Sequence, residues 1–290
     1  MTILFSDNVV RAWKVFLNNQ ENRGHIDRGI DIVNIEQYVQ LCLESAIETT
    51  VRLKRDLPDG FEPKSILEIG SSAGLNCFAL HLAYPDSRVI GVEPENEAVS
   101  VAQSMVQIKS TSPKFVIGFG EALPFDSSVF DLIICHTVIE HVQDVSKVIA
   151  ELSRVLTNDG LIHLDAPNYI WPFEPHLEIY TIPVFGKWFV KLTAILQGKR
   201  KKVEFLDHLQ FVTPRQLERL FKKNGLAWQN RAEIKLLSAS QGCGEIKMYK
   251  KAASFLALIY KIGISRIFIR TLLWLGLYPS VMYTLQKHTK

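Results

Sequence analysis

Residues 66–80 read ILEIGSSAGLNCFAL. A strand-like apolar run breaks at Gly70, Ser71, Ser72, Ala73 and Gly74, and a helix-like run follows. Small residues at such a junction make a tight turn. Two glycines there admit backbone angles closed to other residues and leave room for a ligand to approach the main chain. Any strand-to-helix turn favours small residues, so a ligand role needs support from the rest of the chain.

That support begins with the pattern around the turn. From residue 64 the short apolar runs SILEIG, RVIGVE, KFVIGF, DLIICH and LIHLDAP alternate with helix-period segments. AGLNCFALHLA, ENEAVSVAQSMVQI and DVSKVIAELSRVL lie between them. Continuous apolar strands alternating with helices predict a parallel sheet covered on both faces, a doubly wound α/β fold. In such sheets ligands bind beyond the carboxyl ends of the strands, which is where the turn after ILEIG falls.

Two carboxylates sharpen the reading. RVIGVEP ends its strand at Glu93, roughly twenty residues beyond the glycines, where an acid accepts bonds from ribose hydroxyls. An exposed strand-end charge is the plain alternative, and turn, spacing and acid together favour a nucleoside. Glu68 lies inside the first strand, two residues before Gly70. A carboxylate facing the interior there is costly unless well bonded. Either a ligand carrying an ammonium group or a hydrogen-bonded network accounts for it.

Four stretches, ILEIGSSAGLNCFAL, GVEPENEAV, GEALPFDSSVFDLIICHTVIEHV and ELSRVLTNDGLIHLDAPN, resemble in order the motifs of class I S-adenosylmethionine-dependent methyltransferases. The resemblance runs from about residue 64 to 168 and is nearest to bacterial type 11 enzymes that act on quinones, small lipids and glycans. It implies a mostly parallel seven-stranded Rossmann-like sheet and S-adenosyl-L-methionine as cofactor. Glu68, Gly70, Ser72 and Gly74 would face its methionine part, Glu93 the ribose, and Pro94 the adenine. Gly120 and Glu121 would lie at the adenine edge, and the His136 carbonyl would meet the amino group. Two positions depart from the family pattern: Ser72 replaces a glycine, and Phe119 stands where many relatives carry an aspartate.

Candidate bases for an O-directed transfer are His141, in VIEHV, and His176, in FEPH. A packed histidine and a solvated loop histidine are the respective alternatives. In relatives of the ubiquinone pathway the Glu140–His141 pair joins an earlier glutamate at a metal site. Thr137 occupies that place here, so no metal is expected. Asp165 and Asn168 either face the acceptor or cap the turn made by Pro167.

The remaining sequence bounds the class. The chain has 290 residues, 47% hydrophobic and 22% charged, and can bury a substantial core. A net charge of +3 gives no reason to expect nucleic acid. Scattered cysteines and an N-terminus unlike a signal peptide lead to a cytoplasmic expectation. Residues 1–60 read as an N-terminal helical cap, 61–251 as the α/β domain with an insertion at about 169–207, and 252–290 as an apolar, basic-studded helical tail. LAWQNRAEIKLL and GEIKMYKK are expected to supply two closing strands, after a helix capped by Thr213 and stopped by Gly225.

The tail's longest uncharged run, Thr271 to Gln286, is shorter than the ~20 residues that span a bilayer. It either lies on a membrane surface or packs on the domain or a second subunit. Tyr169, Ile170, Trp171, Phe173, Tyr180, Ile182, Phe185, Trp188 and Phe189 read as an apolar acceptor lining, or as core. Lys199, Arg200, Lys201 and Lys202 suit an anionic surface or a solvated loop. The acceptor expected is a lipid, quinone or lipid-linked glycan. The rival functions are a non-catalytic binding module and, less favoured because of Glu68, a nicotinamide-dependent oxidoreductase.

Overall fold

A computed structural model describes residues 6–22, 34–106, 112–240 and 258–288. The chain divides into two compact units, the first built from residues up to 136 with 146–163, the second from 137–145 with 164–288.

The first unit holds the predicted strands. These are β1 (Ser65–Ile69), β2 (Arg88–Glu93), β3 (Lys114–Ile117), β4 (Phe130–His136) and β5 (Leu156–Pro167), whose last residues belong to the second unit. β1 is the central member, parallel to β2 and to β4, with Glu68 opposite both Gly91 and Ile134. Every residue of β1 is buried, as an apolar run covered on both faces requires. Helix α2 (Ile35–Asp56) and α3 (Leu75–Ala83) bury Leu53, Cys77 and Leu80 in one core cluster with Ile66, Leu132 and Ile134. Helix α1 (Asp7–Asn22) packs Trp13, Phe16 and Leu17 with Ala98 and Val101 of α4 (Asn96–Ser104). Helix α5 (Val145–Val155) leads directly into β5.

The sheet has seven strands in the order β3-β2-β1-β4-β5-β9-β8. In the second unit β8 (Leu226–Asn230) and β9 (Ser280–Lys287) pair antiparallel, with Trp228 opposite Leu285. Only the first half of the expected strand LAWQNRAEIKLL is extended, because Ala232–Ser240 forms α8. GEIKMYKK lies outside the described residues.

A strand that pairs with β8 comes from the tail, and this corrects the reading of 252–290 as a helical appendage. Ser265–Leu275 is a helix, α9, but Ser280–Lys287 is β9. Val281, Tyr283 and Leu285 alternate on its buried face, the period of a half-buried strand. Asn168 holds the approach to β9. Its side-chain amide donates to the carbonyls of Gly276 (2.7 Å) and Tyr278 (2.6 Å), so it is a structural anchor rather than an acceptor contact. Tyr283 donates to Glu218 at 2.8 Å. Among the described residues no helix is long and apolar enough to cross a membrane.

The insertion contains a short hairpin, β6 (Phe173–Glu174) with β7 (Ile179–Tyr180), and helix α6 (Lys187–Leu196). It divides the aromatic set expected to line an acceptor pocket. Tyr169 is buried and stacks on Phe211 at 4.3 Å. Tyr180, Ile182, Phe185 and Trp188 face solvent. Helix α7 (Pro214–Lys223) begins as expected, with Thr213 Oγ1 accepting from the Gln216 amide at 3.4 Å.

Candidate functional site

The turn after β1 is fixed by backbone bonds and by one carboxylate. Gly70 and Ser71 donate to the Val92 carbonyl at 2.8 and 3.1 Å, and Gly74 donates to Ser71 at 2.8 Å. Gly70, Ser72 and Gly74 have φ of 68°, 46° and 81°. A left-handed serine is strained by about 1–2 kcal/mol. Its amide donates to Glu93 Oε2 at 2.9 Å, a charge-assisted bond that offsets this strain. Glu93 Oε1 accepts from the Glu95 amide at 3.1 Å. A carboxylate offers about four lone-pair sites, so acceptor capacity remains for hydroxyl donors. Burial pushes the Glu93 carboxyl upward, against its two amide bonds.

Glu68 answers the choice left open by its position. Its Oε1 accepts from Asn76 Nδ2 and its Oε2 from Cys77 Sγ, both at 2.9 Å. The carboxylate is therefore satisfied by a network from α3, and it pins the start of that helix to β1. Burial pushes its pKa up to about 7, opposed by the Cys77 and Asn76 bonds and assisted by the charge of Glu93. Glu93 thus holds the turn and Glu68 the helix that follows it. The Ser71 hydroxyl is buried with no hydrogen-bond partner among the described residues, a polar group suited to a polar ligand. Gly91 gives it space, since a Cβ there would lie 2.6 Å from Ser71 Oγ.

The raised Glu68 pKa has a sign that can be measured. Between the usual 4.5 and about 7 the cofactor-free folded chain holds this proton and the unfolded chain does not. Its stabilising contribution is fully present below the lower value and is lost as pH rises through the upper one, roughly 3 kcal/mol in all. Urea unfolding at about pH 5 and about pH 8 should show this loss, and Glu68→Gln should reduce it, leaving the part due to Glu140, whose carboxyl burial also pushes up to about 7. An unchanged pH dependence in the variant would remove Glu68 as its source.

The other expected contacts surround the turn. Pro94 is exposed and follows Glu93 directly. Gly120 is buried beside β1, where a Cβ would approach Ile69 Cγ2 at 3.4 Å. Phe119 is exposed and offers no carboxylate. The segment after half-buried Glu121 is clamped by a pair that sequence reading missed. Arg154 donates to the carbonyls of Phe125 (2.7 Å) and Leu123 (3.1 Å) and in two bonds to Glu151. Glu151 also accepts from the Leu123 amide at 2.7 Å. His136, at the end of β4, stands one register step beyond the Ile69–Cys135 pair, level with Gly70.

His141 and His176 meet in the second unit. Their rings cross at 90° with centroids 5.1 Å apart. Glu140 is fully buried, and its Oε1 is 3.8 Å from His141 Nε2. Burial pushes its pKa up to about 7. His176 Nδ1 is 2.7 Å from buried Glu174, which also accepts from the Leu177 amide at 2.6 Å. One donor atom from each of Glu140, His141 and His176 lies within 4.8 Å of the others, a nitrogen-rich set suited to a divalent transition metal. Thr137 offers no carboxylate beside the Glu140–His141 pair, and His176 of the insertion lies there.

Residues 67–164 match the family described as "Methyltransferase domain". A methyltransferase of unassigned role from Bacillus subtilis, YcgJ, is 38% identical over 114 residues, 39% of this chain and 44% of its own. The ubiquinone biosynthesis O-methyltransferase of Bartonella quintana is 28% identical over 57% of this chain and 61% of its own. The chain therefore spans less than two thirds of these curated relatives. Geranyl diphosphate C-methyltransferase from Streptomyces coelicolor, solved with Mg2+, geranyl diphosphate and S-adenosyl-L-homocysteine, shares the fold. It gives a TM-score of 0.52 at 15% identity, covering 90% of this chain and 86% of its own.

Proposed function

We propose, from the match of residues 67–164 to the methyltransferase-domain family, that the chain transfers a methyl group from S-adenosyl-L-methionine to an oxygen of an amphiphilic acceptor. A lipid, quinone or lipid-linked glycan fits that description. The observation carrying this reading is the turn braced by Glu93, with its left-handed Gly70, Ser72 and Gly74. The cofactor supplies a sulfonium methyl already activated for in-line displacement. Glu93 accepts the ribose hydroxyls with the lone pairs its two amide bonds leave. The Ser71 hydroxyl holds the methionine end, and Glu68 fixes α3 to β1 through Asn76 and Cys77. Alignment of the nucleophile with the methyl–sulfur bond is then the main catalytic task.

His141 and His176, expected as bases, lie with two buried carboxylates, Glu140 and Glu174. That environment calls for positive charge, so we assign the cluster to holding a cation rather than to taking the acceptor's proton.

An amphiphilic acceptor is supported by α6. Trp188, Leu192 and Ile195 recur at helical spacing and are 67%, 45% and 47% exposed. Residues 180–207 carry six basic and two acidic side chains. An exposed apolar ridge with basic neighbours suits an anionic membrane surface. The full chain is expected to float with phosphatidylglycerol-containing vesicles and Trp188→Glu/Leu192→Glu to remain unbound. Folded wild-type protein that stays unbound would end the membrane part. Incubation with methyl-labelled cofactor and lipid or glycan extracts tests the activity, and label in an O-methyl product is the expected result.

A further inference from the structure

The carboxylate and the two imidazoles that meet in the second unit come from two separate pieces of chain, and a third walls them. Glu140 and His141 lie in the turn after β4. There the Glu140 carbonyl accepts from the Gln210 amide at 2.6 Å, and the His141 amide donates to the Val138 carbonyl at 2.8 Å. His176 lies in the turn of the insertion's hairpin, between β6 and β7. Phe205 covers one side, with its ring centroid 6.0 Å from that of His141 and 5.5 Å from that of His176. The side chains of His141 and His176 are 39% and 20% exposed, so solvent reaches the cluster along the imidazoles.

Donor and acceptor rules give His176 a direction. Glu174 Oε2 accepts from the Leu177 amide, and Oε1 faces His176 Nδ1 at 2.7 Å. An ionised carboxylate only accepts, so Nδ1 carries the proton and Nε2 keeps its lone pair. A carboxylate that fixes the far nitrogen of an imidazole is the usual outer partner of a metal-ligating histidine. Charge points the same way. Glu140 and Glu174 are both fully buried, and the charges of Asp165 and Glu174 each act on Glu140. Buried carboxylates in one another's field need a cation. Tyr169 adds an independent sign. It is 2% exposed, its hydroxyl has no hydrogen-bond partner among the described residues, and the charges of Glu174 and Glu140 both reach it. Such a donor suits an oxygen bound to an ion.

We propose that Glu140, His141 and His176 hold one divalent ion of the zinc type, and that this ion clasps the insertion's hairpin to the turn after β4. This rests on the reading of the cluster as a cation site and not on the methyl-transfer step. One carboxylate and two imidazoles favour a borderline transition ion over Mg2+ or Ca2+, which take oxygen ligands. Atoms about 2.0–2.1 Å from zinc stand roughly 3.3 Å apart at the tetrahedral angle. The three donor atoms, within 4.8 Å of one another, therefore draw together as the ion enters. Because one of them belongs to the hairpin, ion binding and hairpin docking are linked.

Cobalt(II) titrated into the chelator-treated full chain tests the site by its visible absorption. One Co2+ per chain is expected, with the bands of a four- or five-coordinate ion, bleached by Zn2+ and unaffected by Mg2+. His176→Gln is expected to weaken Co2+ binding by at least about 100-fold, and Glu174→Gln by about 10–100-fold. Zn2+ is also expected to slow hydrogen exchange at the Leu177 amide. Folded wild-type chain that binds no Co2+ overturns the proposal, and so does displacement by Mg2+. Wild-type affinity in His176→Gln overturns the part played by the insertion. Binding with unchanged exchange at Leu177 overturns the clasp. The wild-type titration and exchange decide even if a variant does not fold. Co2+ bound by a chain that takes up no S-adenosyl-L-homocysteine would fault the methyltransferase reading and leave the clasp standing.

Discussion

Glu93→Ala is expected to weaken S-adenosyl-L-homocysteine binding by at least about 100-fold, since each hydrogen bond to a charged group contributes about 1.5–3 kcal/mol. Its carboxylate has two tasks in the proposed site. It holds the Ser72 and Glu95 amides, and it offers the remaining lone pairs to the two ribose hydroxyls. Alanine removes both and leaves the Ser72 and Glu95 amides without this acceptor. Glu93→Gln separates the tasks, because an amide oxygen still accepts from a backbone N–H while the charge is gone. It is expected to fold and to bind about 10-fold or more weaker. Calorimetry measures both variants, and wild-type affinity in folded Glu93→Ala would show that the ribose does not sit there.

Gly74→Ala should be the most destabilising single-methyl change at the turn. A Cβ at this position would lie 2.5 and 2.6 Å from Phe115 ring atoms and 2.9 Å from Ala102 Cβ, with φ at 81°. Left-handed backbone costs an L residue about 1–2 kcal/mol, and overpacking adds about 1–3 kcal/mol. Gly60 provides the control, with φ of 74° and no heavy atom within 4 Å of a built Cβ. Gly60→Ala should therefore carry only the backbone part. Equal losses in urea unfolding would mean that the space around Gly74 adjusts freely.

These two residues were visible in the sequence because their signals are local. Gly74 sits in a run of small residues between a strand and a helix, and Glu93 ends an apolar run at the right distance. The five strands β1 to β5 were legible for the same reason: each is a short apolar run with buried surroundings. β9 was not, because Val281, Tyr283 and Leu285 alternate directly after an apolar helix, and hydrophobicity alone does not separate the two periods. Pro279, just before Ser280, was the available marker. Glu68 was recognised as a buried charge, yet its partners Asn76 and Cys77 lay within the same stretch and went unread. Pairings such as His163 with Asp56, or Glu140 with His176, join positions far apart in the chain, and no periodicity reports them. The exposed ridge of α6 was likewise hidden, since Trp188 and Leu192 look like core residues until the helix is placed.

The proposed activity depends on the turn at residues 70–74 and Glu93 holding one adenosyl ligand. Titrating the 15N-labelled full chain with S-adenosyl-L-homocysteine, followed by calorimetry and amide spectra, tests this most directly. Saturable one-to-one binding that shifts the amides of Gly70, Ser72, Gly74 and Glu95 is the expected result. Absence of heat with those amides unmoved would contradict it.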